Sequence, residues 1–208
     1  MASETWWLDD AQQIADENPY TFYKPSSEAI ATLGPGNMVK LIFRFPALGR
    51  NTPTGERMWV EITKIGDDSY EGTLANQPYY MKGLKHGDKI SFKQKHVISL
   101  DIDDQQSGDH DRYFKRCFVT NRILRDGVKA KYIYKEEPDQ EDDSGWRIVE
   151  GDEPDEYMEN PDNISYVAIG IILNQDNSFV HLLDVKPNCW YIWDDIRDMW
   201  VKGVNIKQ

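Results

Sequence analysis

The sequence predicts an α+β protein with two strand-rich lobes, which contain mainly antiparallel sheets and a few short helices. Three observations support this class. Apolar and polar residues alternate over short stretches such as 39–45 and 58–63, which is the pattern of strands with one buried face. Turn signals such as Gly66–Ser69 separate these stretches at the spacing of hairpins. Patterns with the helical period are short and lie near the two ends of the chain.

Two helices are predicted in the N-terminal part. Ser3 can cap the first helix, with Glu4 in its first turn, and Asn18–Pro19 ends it. The apolar stripe of this helix comprises Trp7, Ala11, Ile14 and Ala15. The second helix is expected to start after Ser26 and to finish at Gly34–Gly36.

Strands are predicted over most of the remaining first half of the chain. The strand at 39–45 is followed by one at 58–63, and the latter should form a hairpin with 70–74. A further strand opens at 90–92 and can continue to residue 100.

Further strands are predicted in the second half. Alternation at 113–119 and again at 130–134 indicates two strands, with one helical turn between them. Ser144–Gly145 is expected to be a tight turn before a strand at 146–149.

The last part of the chain combines a long apolar run with three tryptophans. Ile164–Leu173 predicts a central strand buried on both faces, paired in a hairpin with Phe179–Leu183. Trp193, Ile196 and Trp200 fit the stripe of a C-terminal helix.

The domain division rests on a polar segment in mid-chain. Asp101–Arg112 has no apolar period, which is typical of a linker. We therefore predict an N-terminal domain at 1–102, a linker at 103–112 and a C-terminal domain at 113–208. A length of 208 residues is sufficient for two small domains with separate cores.

The excess negative charge lies in one segment, Glu136–Asp162. It contains thirteen acidic residues and one basic residue, Arg147, so its net charge of −12 equals that of the entire chain. Such a field attracts a basic partner and speeds encounter. The alternative is a solvated acidic loop that only maintains solubility. Trp146 and Tyr157 favour binding, because aromatic residues ringed by charge are typical of interface hot spots. The residues predicted to contact a partner are Asp139, Glu141, Asp142, Asp143, Trp146, Asp152, Glu153, Asp155, Glu156 and Tyr157.

Composition argues against several classes of function. The acidic balance disfavours nucleic acids and anionic membrane surfaces. The N-terminus lacks the features of a signal peptide, and the apolar run at 167–173 is too short to cross a bilayer, so a cytoplasmic location is expected. We expect no cofactor and no metal, because no His or Cys pair has ligand spacing and the acids at 139–143 do not fit a calcium-binding loop. Cys117 lies in a predicted strand, which is typical of a small buried residue.

Long motifs in the second half carry a resemblance to a known family. CFVTNRILRDG at 117–127, DSGWRI at 143–148 and NPDNISY at 160–166 resemble bacterial immunity proteins of polymorphic toxin systems, over about 113–184. LANQP at 74–78 and LKHGD at 84–88 are similar to a second small bacterial domain of unknown function, over 37–100.

The resemblance implies an immunity protein without catalytic activity, which binds a cognate toxin and covers its active site. An acidic surface suits a basic toxin such as a nuclease, whose substrate groove is itself basic. One alternative is a hydrolase that uses carboxylates of the acidic segment, and this would need a pocket with two or more carboxylates of different pKa. The other alternative is an acidic scaffold that binds cations.

Overall fold

The computed structural model describes residues 6–47, 49–104 and 110–203. Contacts divide the chain into two compact units, Met1–Gly108 and Asp109–Gln208. In the described residues each unit has a six-stranded, mostly antiparallel sheet and several short helices. The predicted α+β class with two strand-rich lobes is therefore confirmed. The predicted linker at 103–112 stays a prediction, since residues 105–109 lie outside the described part of the chain.

The described part of the N-terminal unit contains two α-helices and six strands. The helices are α1 (Ala11–Glu17) and α2 (Ser27–Ala31). The strands are β1 (Trp7–Leu8), β2 (Met38–Arg44), β3 (Gly55–Ile65), β4 (Tyr70–Leu74), β5 (Lys89–Phe92) and β6 (Val97–Leu100). The strand order is β1-β2-β3-β4-β5, β6 also pairs with β2, and all these pairs are antiparallel.

Alternation along β2 and β3 builds the core of this unit. Val39, Leu41 and Phe43 are fully buried, because successive side chains of a strand point to opposite faces of the sheet. Val60 and Ile62 of β3 complete the same buried layer. The strands predicted at 39–45, 58–63 and 70–74 are confirmed as β2, β3 and β4.

The first predicted helix starts later than expected. Asp10 caps α1 by accepting hydrogen bonds from the backbone N–H groups of Gln12 and Gln13, at 3.1 and 3.2 Å. Trp7 therefore lies outside the helix, in β1, where it pairs with Arg44. Ser3 and Glu4, the predicted start, lie outside the described residues.

Two other N-terminal predictions have different outcomes. Ser26 caps α2 as expected, since its Oγ accepts a hydrogen bond from the N–H of Ala29 at 3.0 Å. The strand expected over 90–100 is interrupted by a 3₁₀ turn at Gln94–His96. As a result β5 pairs with β4, whereas β6 returns to pair with β2.

The described part of the C-terminal unit contains four α-helices and six strands. The helices are α3 (Asp111–Phe114), α4 (Asn121–Leu124), α5 (Asp155–Met158) and α6 (Ile169–Gln175). The strands are β7 (Arg116–Thr120), β8 (Tyr132–Lys135), β9 (Asp143–Val149), β10 (Ile164–Ala168), β11 (Cys189–Asp194) and β12 (Met199–Lys202). Their order is β10-β7-β9-β8-β11-β12, in which only the β7–β9 pair among these strands is parallel.

One face of this second sheet forms the core. Trp146 of β9 lies at its centre, with the rings of Phe179 and Tyr191 at centroid distances of 6.5 and 6.4 Å. Burying three large aromatic side chains is a major source of stability for a unit of this size. Further buried members are Cys117, Val119, Ile133, Ile148, Ile169, Ile172, Leu173, Trp193 and Trp200.

The predicted central strand at 164–173 is wrong, because this apolar run is divided between a strand and a helix. β10 covers only Ile164–Ala168 at an edge of the sheet, and α6 starts at Ile169. A short apolar run does not by itself distinguish a strand from a buried helix. The predicted hairpin with 179–183 is also wrong, because Val180–Leu182 form a 3₁₀ turn.

The C-terminal tryptophans lie in a hairpin rather than in the predicted helix. Trp193 of β11 pairs with Trp200 of β12, and the two ring centroids are 5.4 Å apart. A separation of seven residues places two side chains on one face of a helix, but also opposite each other across a hairpin with a short turn. Trp193 and Trp200 are nevertheless buried in the core, at 8% and 5% exposed.

The first described element of the C-terminal unit is a helix rather than the predicted strand. The strand predicted at 113–119 begins only at Arg116, because α3 extends to Phe114.

Cys117 and Cys189 are free, and burial raises the pKa of Cys117 to about 12, as expected of a buried thiol. None of the helices in the described ranges is long and apolar enough to cross a membrane.

Candidate protein-interaction surface

The acidic segment 136–162 is not one continuous loop. β9 runs through its middle and separates the β8–β9 connection, residues 136–142, from the β9–β10 connection, residues 150–163. These connections leave opposite ends of β9, which at seven residues is roughly 20 Å long. The negative charge is therefore divided into two groups, one at each end of a strand inside the sheet.

Two charged residues of this segment are buried together. Asp143 is 3% and Arg147 7% exposed, and the guanidinium donates two hydrogen bonds of 3.0 Å to the carboxylate. The N–H groups of Gly145 and Asp139 also donate to this carboxylate, at 2.9 and 3.1 Å. Burial works against the charged form of Asp143, but the hydrogen bonds from Arg147 and the backbone hold its pKa below the usual 3.8. This pair fixes the start of β9.

Two further carboxylates reach Arg147 from the β8–β9 connection. Glu136 and Asp139 accept its hydrogen bonds at 3.1 and 3.3 Å. Their side chains are 55% and 80% exposed, so both stay open to solvent. One guanidinium thus faces three carboxylates, which leaves an excess of negative charge at this end of β9.

Gly145 permits the close approach of β8 and β9. Its φ of +79° suits glycine, and a Cβ there would overlap the carbonyl oxygen of Glu136. The predicted turn at Ser144–Gly145 is therefore wrong, since both residues belong to β9. The chain turns earlier, where the N–H of Asp143 donates to the carbonyl of Gln140 at 3.1 Å.

The second connection is ordered by its own carboxylates. Glu153 accepts hydrogen bonds from the N–H groups of Glu150 and Gly151, at 2.8 and 2.7 Å. Arg122 of α4 pairs with Glu150 at 2.8 Å and lies 4.8 Å from the ring centroid of Tyr157. Glu150 and Glu153 therefore hold the loop in place, and Tyr157 packs against an arginine of the chain.

The ten residues predicted to contact a partner occupy different environments. Trp146 and Asp143 are buried, so they support the sheet and are not on the surface. Glu153 and Tyr157 are half-buried. The exposed members are Asp139, Glu141, Asp142, Asp152, Asp155 and Glu156. The sequence pattern does not distinguish the buried, half-buried and exposed residues, because it does not reveal that β9 passes through the middle of the acidic segment.

A cavity of about 410 Å³ lies beside the first acidic connection. Its lining includes Asp143, Glu141, Asp184, Lys135 and Trp146. The Asp143 carboxylate is committed to Arg147, and Lys135 donates hydrogen bonds to two backbone carbonyls, of Leu183 at 2.8 Å and of Val185 at 2.9 Å. The most buried polar groups of this cavity therefore serve the fold.

The face of the C-terminal sheet opposite the core carries a row of aromatic side chains. Residues paired across strands lie on the same face, and the pairing places five side chains in one row that we call the aromatic row. It comprises Tyr166, Phe118, Arg147, Tyr134 and Trp190, from β10, β7, β9, β8 and β11. Tyr132 and Ile192 continue the same face one step further along β8 and β11.

This face is accessible and partly apolar. Phe118, Ile192 and Met199 are 37%, 48% and 51% exposed, and the rings of Tyr132, Tyr134 and Trp190 are half-buried. The two acidic connections flank it at the two ends of β9. An apolar centre with a charged rim is the usual organisation of a protein–protein interface.

Sequence reasoning missed the aromatic row as a surface. A signal was present in the alternation of Tyr132 and Tyr134 with the buried Ile133. Trp190 could not be assigned to it, because the predicted C-terminal helix hid the pairing of β11 with β8.

The fold and this surface define a two-unit α+β protein whose C-terminal unit has the features of a protein-binding module. Residues 117–203 match the family model described as the Immunity protein Imm33 domain. Residues 9–110 match the family model described as an uncharacterized protein conserved in bacteria, DUF2314. Both resemblances inferred from the sequence motifs are confirmed. The first match extends beyond the predicted range at its C-terminal end, and the second extends beyond it at both ends. No curated protein and no solved structure matches the chain.

Proposed function

We propose that this protein is an immunity protein that binds and neutralises a cognate bacterial toxin. The observation that carries the proposal is the Imm33 match, which spans nearly all of the C-terminal sheet, from β7 to β12. The role is stoichiometric binding rather than catalysis, and the bound protein blocks the active site of the toxin by covering it.

The charge of the C-terminal unit supports a basic toxin as the partner. Residues 109–208 contain 21 acidic and 13 basic residues, so their net charge is 13 minus 21, or −8. A field of this sign speeds the encounter with a basic protein and disfavours acidic ones. A nuclease is a suitable class of toxin, because its substrate groove must itself attract phosphate.

The exposed acids without a partner are the best candidates for the contact. Within the described residues, no ion pair involves the side chains of Glu141, Asp152, Asp155 or Glu156. Their charges are therefore not neutralised by ion pairs within the described part of the protein. Asp143 is excluded from this set because it is buried with Arg147.

The test begins with capture of the toxin from the native bacterium on the tagged protein at low salt, followed by mass spectrometry. The expected product is a basic protein with a toxin domain, whose toxicity in a growth assay is abolished by co-expression of this chain. The variant with Glu141, Asp152, Asp155 and Glu156 changed to Lys should bind this toxin at least about tenfold more weakly and with a smaller dependence on salt.

The matched control reverses four exposed acids of the N-terminal unit: Glu28, Glu61, Asp67 and Asp103. It changes the net charge of the protein by the same amount but leaves the C-terminal unit unaltered. Equal affinities for the two variants would contradict binding through the C-terminal acidic surface. Undiminished toxicity in the presence of the wild-type protein would overturn the immunity function itself.

A further inference from the structure

Two rings of the aromatic row, those of Phe118 and Tyr166, already contact arginine side chains of the same chain. The guanidinium of Arg147 lies 4.7 Å from the ring centroid of Phe118, and that of Arg116 lies 5.3 Å from the ring of Tyr166. Each arginine is also held by a carboxylate, Arg147 by Glu136 at 3.1 Å and Arg116 by Asp142 at 3.6 Å. The face therefore contains two examples of one arrangement, a guanidinium between an aromatic ring and an acid.

In the part of the chain that the structure describes, no cation lies over the rings of Tyr134 and Trp190 in the row, nor over the adjoining Tyr132. Tyr132 lies between Tyr134 and Trp190, with ring centroids 5.6 and 5.9 Å away. Within the described residues, neither tyrosine hydroxyl nor the Trp190 indole N–H has a hydrogen-bond partner in the protein. By contrast, Trp146 donates to the carbonyl of Leu183, and Tyr166 is hydrogen bonded to Asp142. Rings with a free polar tip at the surface are characteristic of binding hot spots.

The carboxylate of Glu136 follows Tyr134, the nearest of these rings, along the open face. Tyr132, Tyr134 and Glu136 alternate along the chain with Ile133 and Lys135, so the three lie on the open face while the lysine turns to the other. Lys135 there donates to the carbonyls of Leu183 and Val185. The side chain of Glu136 is 55% exposed, which leaves one side of its carboxylate open while the other accepts from Arg147.

The Trp190 ring is held against the sheet by its neighbour across β11 and β12. The N–H of Gly203 donates to the carbonyl of Trp190 at 2.9 Å, and a Cβ at Gly203 would overlap the indole ring. The ring therefore covers the glycine, as aromatic residues do opposite glycine at sheet edges. Its position is set before a partner arrives, which lowers the entropic cost of binding.

We propose that Tyr132, Tyr134 and Trp190, together with the carboxylate of Glu136, form a subsite that receives an arginine side chain of the bound protein. The guanidinium stacks on the rings and pairs with Glu136, in the same arrangement that Arg147 adopts on Phe118. This inference rests on the proposed function for the identity of the protein that supplies the arginine. The subsite itself can be tested without that protein.

The probe is the peptide acetyl-Gly-Arg-Gly-amide, added over a millimolar range to the full-length protein labelled with ¹⁵N at the tryptophan indoles. The seven indole resonances are followed by NMR, and that of Trp190 is assigned from Trp190→Phe. We expect a saturable shift of the Trp190 resonance and little change in the others. The matched peptide with citrulline, which has the same shape without the charge, should produce no saturable shift.

Two variants and a control separate the contributions of the rings and the acid. Tyr132→Leu and Glu136→Gln should each weaken the apparent affinity for the arginine peptide by at least about fivefold, the order expected for one cation–π contact or one charge-assisted hydrogen bond. Tyr79→Leu removes a tyrosine that is 85% exposed in the N-terminal unit and should change nothing. The unshifted indole resonances report that each variant is folded.

Equal shifts with the arginine and citrulline peptides would overturn the proposal, as would an unmoved Trp190 resonance or unaltered affinity in both variants. A working subsite combined with an unaltered toxin affinity after acid reversal would refute the proposed acidic contact and leave the subsite standing. Failure of the peptide titration with a successful toxin neutralisation would refute the subsite alone.

Discussion

At the scale of single residues, the central feature is a buried ion pair inside an acidic segment. Asp143 and Arg147 are i and i+4 along β9 and are almost inaccessible. Desolvating two charges is costly, and the bidentate hydrogen bonds offset that cost only while both partners are present. Removing one partner of this pair therefore destabilises the fold more than removing one partner of a surface ion pair.

We expect Arg147→Met to lower the free energy of unfolding by about 3–5 kcal/mol, because it leaves the Asp143 carboxylate buried without its cation. Urea denaturation followed by tryptophan fluorescence measures the change. Arg116→Met is the matched control, since the side chain of Arg116 is 48% exposed and its pair with Asp142 is worth less than about 1 kcal/mol. Similar losses in the two variants would show that burial does not govern the strength of the pair.

The lowered pKa of Asp143 predicts a dependence of stability on pH. A carboxylate whose pKa is lower in the folded state than in the unfolded chain stabilises the fold above the unfolded value of about 4. This stabilisation is lost as the pH falls towards the folded pKa. We expect the free energy of unfolding of the wild type to decrease more steeply below about pH 5 than that of Asp143→Asn. Parallel pH profiles of the two proteins would be inconsistent with the ionised carboxylate.

At the scale of elements, glycine decides how β8 and β9 meet. Gly145 combines a positive φ with a backbone oxygen where a Cβ would lie, whereas Gly127, at a φ of +71°, has open space around it. Alanine at position 127 therefore suffers only the conformational penalty, about 1–2 kcal/mol. Gly145→Ala should lose more than Gly127→Ala in the same unfolding assay, because the strands must also separate. A smaller loss at position 145 would mean that the strand shifts freely.

The errors of the sequence-based prediction also belong to this scale. The run 164–173 and the tryptophans at 190–200 each have a pattern that suits both a helix and a strand. Pairing partners distant in the sequence decide between them: β10 pairs with β7, and β11 pairs with β8. Local hydrophobic periodicity contains no information about these partners, so it predicts strand pairing only where hairpins are local, as in β3 and β4.

At the scale of the whole molecule, each unit has its own sheet and its own buried layer. We expect residues 1–104 and 110–208 to fold when they are expressed separately, each with a cooperative thermal transition and a far-UV circular dichroism spectrum rich in strand. The sum of the two spectra should reproduce that of the full chain. A fragment that remains unfolded would show that its core needs the other unit.

The candidate surface shows what the sequence determined and what only the tertiary structure decided. The sequence by itself determined the α+β class, the strands joined by local hairpins, the family resemblances and the concentration of acid at 136–162. These depend on composition and on patterns between neighbours along the chain. The tertiary structure decided which of these acids are buried and that Trp146 belongs to the core. It also brought Phe118, Tyr134 and Trp190 onto one open face. The reason is physical: burial and the shared face depend on pairing between strands far apart in the chain, which side-chain periodicity within one segment does not specify.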